Sequence, residues 1–388
     1  MKEFYADLHI HIGRTTSGRA VKITGSKTLT LTQILETAST RKGLDIVGII
    51  DCHSPEVIEE INRLLTQGEL TELEEGGLRF QDTTLIPGSE IEIYDQFCHG
   101  PIHVLAYFPT LLQMKQFSNW MSQHMKNIHL SSQRIYCNGR TLQQKVYELG
   151  GLFIPAHVFT PFKSLFGKGV QRSLTEVFDP NMIDAIELGL SSDTMMVHQI
   201  KELQAYTFVS NSDAHSLGKI AREYQKLRLA AANFAELKKA LHEQQGRAVI
   251  ANYGLNPLLG KYHQTVCAKC GEQLVNQAIH CTNCGSTQII KGVATRIQEL
   301  SEDFSNTRQR PPYIHQVPLD FIPGIGPKML ERLLQAFGTE MNILHNVTLE
   351  QLEQIVPSKI AILIDQARTG QLAIAVGGGG IYGKIQAD

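Results

Sequence analysis

The sequence predicts an α/β protein, a barrel of mostly parallel strands and covering helices followed by two small modules. Three observations carry this reading. Over roughly the first two thirds of the chain, apolar β-rich runs alternate with segments of helical periodicity, the pattern of a parallel sheet or barrel. Histidines and carboxylates stand in small clusters at the ends of those runs, where a β/α barrel gathers its site. Four of the seven cysteines then form two C-x-x-C pairs separated by ten residues.

In order, residues 3–9 and 45–51 read as strands. Between them Thr32 to Lys42 places apolar residues at helical spacing, and Gly43 follows as a C-cap. Further strands are expected at 83–87, 90–94, 102–107, 151–155, 183–188, 206–210 and 247–251. Helices are expected near 55–66, 111–126, 142–149, 193–204 and 234–243. This divides the chain into a barrel (1–252), a metal-binding ribbon (253–295), a polar linker (296–312) and a helical domain with a glycine-rich tail (313–388). Nothing repeats at a solenoid period.

At 388 residues there is chain enough for two or three cores. A formal net charge of −2 carries no global nucleic-acid footprint, so any basic surface must be local. The 42% hydrophobic content is ordinary for a soluble protein. No apolar run approaches ~18 residues and the first twenty or so lack a signal-peptide core, so a cytoplasmic protein without membrane contact is expected.

Cys267-Ala268-Lys269-Cys270 and Cys281-Thr282-Asn283-Cys284, each followed by glycine, have the spacing that sets four thiolates around one structural zinc ion. Cys52, Cys98 and Cys137 are scattered and read as reduced thiols.

The chemistry lies in the clusters. A lone histidine at a strand end is more often structural than ligating. Residues i and i+2 of a strand share a face, however, so His9 with His11, and Asp213 with His215, can each grip one ion. Asp51, His53, Glu90, His103 and His157 complete a set of nitrogen and oxygen ligands suited to two or three Zn, Mn or Mg ions. Such a cluster activates water and clamps both oxygens of an in-line displacement, which points to phosphoester hydrolysis. Glu90, Asp213 and His215 are the expected catalytic residues.

Asp7-Leu8-His9-Ile10-His11, Asp51-Cys52-His53, Gly88-Ser89-Glu90, His103, His157 and Ser212-Asp213-Ala214-His215 together resemble the motifs of the PHP (polymerase and histidinol phosphatase) family over about residues 1–250. The resemblance implies a distorted seven-stranded (β/α)7 barrel with up to three metals. It makes Glu90 the bridging carboxylate and places Asp7 behind the ligands. Cys52 is an insertion relative to the family's T-D-H motif, so which of Asp51 and His53 binds is open. Where some members carry a further ligand after the H-x-H pair, this chain has Arg14 and Arg19, read as a site mouth facing phosphate.

Beyond the linker, Phe321-Ile322-Pro323-Gly324-Ile325-Gly326-Pro327-Lys328 precedes a helix with Leu330, Leu333, Leu334 and Phe337 on one face, stopped by Gly338. This resembles a helix-hairpin-helix motif, in which Gly324, Gly326 and Lys328 would meet DNA phosphate without reading sequence. A second unit has Thr348 and Gln351 as a capping box, and its hairpin, Val356-Pro357-Ser358-Lys359, reads as a degenerate copy kept for packing. The glycine run from Val376 to Ile385 has no second half of a GIY-YIG nuclease and reads as a flexible or DNA-contacting strand.

The order of PHP domain, four-cysteine ribbon, helix-hairpin-helix and glycine-rich end is similar to the endonuclease Q family. That resemblance implies a nucleoid-associated DNA repair enzyme cutting damaged double- or single-stranded DNA on the 5′ side of uracil, hypoxanthine, xanthine and abasic sites. Any sliding-clamp or other repair partner is left open. Val158 to Ser173, with Phe159, Phe162 and Phe166 among Lys163, Lys168 and Arg172, is the expected lesion-facing, DNA-binding loop. The alternatives are a phosphomonoesterase acting on a small ester and a non-enzymatic DNA-binding scaffold.

Overall fold

The computed structural model describes residues 1–260, 262–274, 278–305 and 307–372, and the backbone of 374–375 and 384–385. Seven strands close the barrel. They are β1 (Lys2–Ile10), β2 (Ile46–Ile49), β3 (Thr83–Ile93), β4 (Ile102–Tyr107), β5 (Leu152–Pro155), β6 (Ile186–Glu187) and β7 (Phe208–Val209). β1 pairs in parallel with β2 and β2 with β3, while β4 runs antiparallel between β3 and β5. Val158 N–H donates to Glu187 O, β6 pairs in parallel with β7, and a bridge between Ile10 and Ala214 brings the chain back to β1. The distortion therefore has a definite origin: one reversed strand, and short sixth and seventh strands joined by isolated bonds.

The strands are held by apolar side chains that alternate with the polar ones. Leu8, Ile46, Ile86, Leu105, Ile154 and Val209, from six different strands, are fully or almost fully buried in one cluster. Residues of β1 between them, Asp7 and His9, therefore face the other way.

Several expectations are modified. The strands expected at 83–87 and 90–94 are one continuous β3, because Pro87 and Gly88 sit where the strand changes partner from β2 to β4. The Pro87 carbonyl accepts from Phe108 N–H there, and Gly88 lies so close to Tyr107 that a Cβ would meet its ring at 2.7 Å. The first helix, α1 (Leu31–Glu36), continues to Lys42 as a wider π turn before Gly43, whose φ is 79°. Helices α2 (Pro55–Gln67), α3 (Leu111–Ser122), α4 (Gly139–Glu148) and α5 (Phe234–Leu241) lie near their expected places. The helix expected at 193–204 reduces to a 3-10 segment, Lys201–Ala205.

Several strands were not expected. β8 (Tyr224–Leu229) pairs antiparallel with β1, and β9 (Ala248–Gly254), near the expected strand at 247–251, pairs with β8. The ribbon's small strands are β10 (Val266–Cys267) and β11 (Ile289–Ile290), and a further unexpected strand, β12 (Tyr313–His315), adds in parallel to β9. The chain beyond the ribbon thus extends the barrel's own sheet.

Helix α6 (Val293–Leu300) crosses the expected boundary at 295/296 between ribbon and linker. The following polar segment is not a free tether. Arg310 donates to the carbonyls of Tyr206 and Leu203 and lies 3.5 Å from the Phe208 ring centroid, so its cations cap exposed backbone of the barrel. The last helices, α7 (Pro327–Phe337), α8 (Glu340–His345), α9 (Leu349–Glu353) and α10 (Ser358–Arg368), pack on the barrel through a buried Lys42–Glu340 pair at 2.8 Å. His345 stacks on Tyr5 at 4.4 Å and meets the Tyr224 hydroxyl at 2.7 Å. Burial pushes the pKa of His345 down to about 3, keeping the ring neutral against its aromatic neighbours. Residues 376–383 of the glycine tail lie outside the described residues; Ile374–Ala375 and Lys384–Ile385 form an antiparallel pair.

Candidate metal centre

The candidate ligands come from five strands and the residues that directly follow them. His9 and His11 project from one face of β1, Glu90 from β3, His157 just after β5, and Asp213 and His215 after β7. His103 lies at the start of β4, which is at the same end of the barrel because β4 runs in reverse. The backbone is left-handed at His157 (φ 32°) and Asp213 (φ 45°), a conformation costly for side-chain-bearing residues and characteristic of over-determined sites.

Three groups of ligand atoms each lie within 4.8 Å of one another: His9, His11 and Glu90; His11, Asp213 and His215; Glu90, His103 and His157. Glu90 belongs to two groups and so does His11. Asp213 Oδ1 lies 3.5 Å from His9 Nε2 and 3.4 Å from His11 Nε2, and Glu90 Oε1 lies 2.8 Å from His103 Nδ1 and 3.3 Å from His157 Nε2. The Nε2 atoms of His9 and His11 are buried with no hydrogen-bond partner. Orphaned imidazole nitrogens aimed at two carboxylates are a misfit for a polar core and a fit for divalent cations.

The other ring nitrogens are held from behind. His9 Nδ1 donates to Glu187 at 3.0 Å and His11 Nδ1 to Asp51 at 3.0 Å. This fixes tautomer and orientation so that Nε2 faces inward. Asp51 therefore stands behind His11 and outside the three groups, although the sequence suggested it as a ligand. His53 is also outside them. Its Nδ1 meets Ser89 Oγ at 2.9 Å and its Nε2 lies 3.3 Å from the Leu130 carbonyl. The inserted Cys52 is buried and donates its N–H to Gly88 O, which turns the chain away from the cluster. Asp7 accepts N–H groups of Ser212 and Ala221 and so ties β1 to the closing loop.

Burial alone would raise the Glu90 carboxyl, but His103, Lys22 and His157 together hold it well below the usual carboxylate range. Burial opposes ionisation of Asp213 too, and His9, His11 and His215 outweigh it in the same direction. The site therefore keeps both carboxylates charged.

A cavity of about 490 Å³ opens over this cluster, lined by Glu90, His103, His157, Asp213 and His215. Lys22, which no motif signalled, enters it and donates to Glu90 Oε2 at 3.2 Å and to Ser132 Oγ at 2.6 Å. Arg14 and Arg19, expected at the mouth, are elsewhere: Arg14 donates to Gly18 O and Arg19 pairs with Glu56. Glu187 was also missed, yet it is a carboxylate ending an expected strand, and that signal could have found it. Of the loop after His157, Phe162 and Lys163 line the cavity, with Lys163 paired to Glu92 at 2.8 Å. Phe159 and Phe166 are instead buried and stacked on each other, while Lys168 and Arg172 are exposed away from the cavity lining. A second cavity, of about 770 Å³, shares His157, Asp213 and His215 and includes Tyr262, whose ring meets that of Phe162 edge-on.

Cys267, Cys270, Cys281 and Cys284 form a fourth ligand group, with Sγ–Sγ separations of 3.6 and 3.5 Å. A tetrahedron with zinc–sulfur bonds of about 2.3 Å has edges of about 3.8 Å, so the set fits zinc and is far too open for disulfides. Gly271 and Gly285, at φ 75° and 69°, let each knuckle fold back onto its first cysteine carbonyl. Arg296 on α6 donates to the carbonyls of Phe166, Val170 and Gln171, fastening the ribbon to the loop beside the cavity.

At the far hairpin, Gly326 caps α7 with Pro327 at the first helical position and nothing within 4 Å of a Cβ placed on it. Lys328 is exposed. Gly324 has φ 90°, and a Cβ there would meet Ile360 of α10 at 3.2 Å, so the second unit packs under the first hairpin. The Thr348–Gln351 capping box is present.

No family model matches the chain. It is 59% identical over 386 residues to uncharacterized protein YqxK of Bacillus subtilis (strain 168), covering 100% of both chains. It is 37% identical over 252 residues to uncharacterized protein MJ0043 of Methanocaldococcus jannaschii, spanning 58% of this chain and 31% of that protein. The structure resembles that of the lesion-specific endonuclease PfuEndoQ from Pyrococcus furiosus, with a TM-score of 0.85 and 30% identity over 99% of this chain and 95% of that one. It also resembles endonuclease Q in complex with a 27-mer duplex bearing an abasic lesion at the active site, with a TM-score of 0.84 and 30% identity over 100% and 97%. No helix among the described residues is long and apolar enough to cross a membrane. With likeness of this extent over barrel, ribbon and helical end alike, the chain belongs to the endonuclease Q family of DNA-cleaving hydrolases.

Proposed function

We propose that this protein is a cytoplasmic, nucleoid-associated DNA repair endonuclease. It hydrolyses the phosphodiester on the 5′ side of deaminated bases (uracil, hypoxanthine, xanthine) and of abasic sites. The observation that carries the reading is likeness over essentially the whole chain to an endonuclease Q holding an abasic duplex at its active site. A cluster of buried nitrogens and carboxylates lies in this chain's own barrel. The domains are a barrel to about residue 252, a ribbon, and a helical DNA-binding end.

His9, His11, Glu90, His103, His157, Asp213 and His215 would hold two or three divalent ions, with Glu90, which belongs to two of the ligand groups, as the shared carboxylate. Bound there, such ions supply Lewis acidity and a water of lowered pKa. Glu187 and Asp51 hold His9 and His11 in register, and Lys22 offers its ammonium to a phosphate oxygen. The cavity beside Phe162 and Tyr262 takes the nucleotide turned out of the stack, which costs least where pairing is already weak.

The test is incubation of end-labelled duplexes carrying uracil, hypoxanthine or an abasic site with Mg or Mn, reading the position of the cut. Nicks 5′ to the lesion are expected. Hydrolysis of a generic phosphomonoester without nicking would make the protein a phosphatase, and binding without hydrolysis a scaffold.

The hairpin supplies affinity that ignores sequence and lesion. Gly326→Val has room within the chain, yet it pushes the backbone away from phosphate, so damaged and undamaged duplex should weaken together. Lys328→Ala should lower the salt slope of log K by about one, the value of a lost phosphate contact. A change in which lesion is cut, at constant general affinity, would instead put the hairpin in the lesion pocket.

A further inference from the structure

Beside the metal cavity lies a surface that the reaction does not use. Tyr94, Phe97 and Tyr136 are 40%, 49% and 51% exposed. The Arg134 guanidinium sits between two of these rings, 4.9 Å from the Tyr94 centroid and 5.2 Å from that of Tyr136. It is steadied there by donating to the Tyr94 carbonyl. Lys126 Nζ lies 5.7 Å from the Tyr136 ring. Among the described residues neither cation has a carboxylate within ion-pair distance, and Asp95, which follows Tyr94 in the chain, is occupied by the N–H groups of Phe97 and Gly139. Exposed aromatic rings interleaved with cations that lack counter-charges are uncommon on a surface that touches nothing.

The patch is continuous with the cavity. Ser131, Ser132 and Gln133 line the cavity, and Arg134 to Tyr136 follow them directly in the chain. Arg134 pairs across the sheet with Glu92, which in turn lies 3.6 Å from His103 Nε2 and 2.8 Å from Lys163. On a chain of net charge −2 this is a local basic and aromatic strip that starts at the wall of the metal cluster.

We infer that the Tyr94–Arg134–Tyr136 strip, with Lys126 and Phe97 at its margin, binds the DNA strand as it leaves the metal cavity. Bases freed from pairing stack on the tyrosines while Arg134 and Lys126 meet phosphate, the combination by which proteins hold unpaired nucleotides without reading sequence. Chemically the strip complements an anionic polymer with π-faces, and its position commits it to the strand being cut. The inference rests on the endonuclease reading for the identity of that strand.

The experiment compares wild-type protein with Tyr94→Ala/Tyr136→Ala and with Arg134→Gln, after thermal melting shows that each is folded. The probe is an abasic duplex with 2-aminopurine beside the lesion, followed by anisotropy, fluorescence and nicking. The tyrosine pair should weaken binding about 10-fold and abolish the stacking quench of 2-aminopurine, with kcat at saturating DNA within about twofold of wild type. Arg134→Gln should lower the salt slope by about one. Variants that bind and quench as wild type, while wild type nicks, would overturn the strip and leave the endonuclease reading standing. Unchanged DNA binding with an altered oligomeric state would also overturn it, by making the strip a protein contact. If wild type binds and quenches but nicks no lesion, the endonuclease reading fails while the strip as a DNA site stands.

Discussion

Asp213→Asn is expected to reduce nicking by at least about 1,000-fold, roughly 4 kcal/mol of transition-state stabilisation, while leaving the fold and DNA affinity close to wild type. Asp213 Oδ1 faces the orphaned nitrogens of His9 and His11, so the neutral amide removes the charge that balances a divalent ion at that position. Glu90→Gln should be as severe, because Glu90 belongs to two ligand groups. Asp51→Asn is the informative contrast. Asp51 touches His11 Nδ1 from behind, so its loss should weaken metal binding about 10- to 100-fold and be rescued by excess metal. Single-turnover nicking across a metal titration separates the cases. Near-wild-type turnover of Asp213→Asn, or loss in Asp51→Asn that no metal concentration restores, would reverse the two assignments.

The second large effect is expected at the ribbon. Cys267→Ser or Cys281→Ser should release one zinc per chain and loosen the segment from Tyr262 to Thr295. In small domains of this kind zinc binding supplies about 10–16 kcal/mol, which is the folding energy of the region. The barrel's metals should remain, since the two sites share no ligand. Tyr262 packs on Phe162 and Arg296 fastens α6 to the neighbouring loop, so lesion nicking should also fall, although none of the four ribbon cysteines belongs to the barrel's ligand groups. Metal analysis with limited proteolysis checks this. Loss of zinc without any gain in local cleavage would mean that the ribbon is held by its packing instead.

How much of this was legible in the chain differs from residue to residue, and the reason is range. The four cysteines are set by local geometry, since a C-x-x-C knuckle closes on itself and needs only glycine to turn. The same holds for Gly326 and Pro327 at the start of α7, for the Thr348–Gln351 capping box, and for His9 with His11, where strand alternation alone puts two rings on one face. These needed no knowledge of the rest of the molecule. The sequence could likewise nominate Glu90, His103, His157, Asp213 and His215 as strand-end residues.

Which nominees meet was a tertiary decision. Asp51 and His53 have the right chemistry at the right strand end, but the buried Cys52 turns the chain so that one backs His11 and the other faces Ser89. Glu187 became a partner of His9 across 178 residues, and Lys22 reached Glu90 from a loop that carries no motif. Phe159 and Phe166 looked like Phe162 in sequence but were taken by the core. Spacing reports the direction of a side chain relative to its own strand or helix. It does not report what the closing of the barrel brings opposite that side chain, and ligand sets, buried pairs and docking of β12 onto the sheet are all made of such long-range encounters.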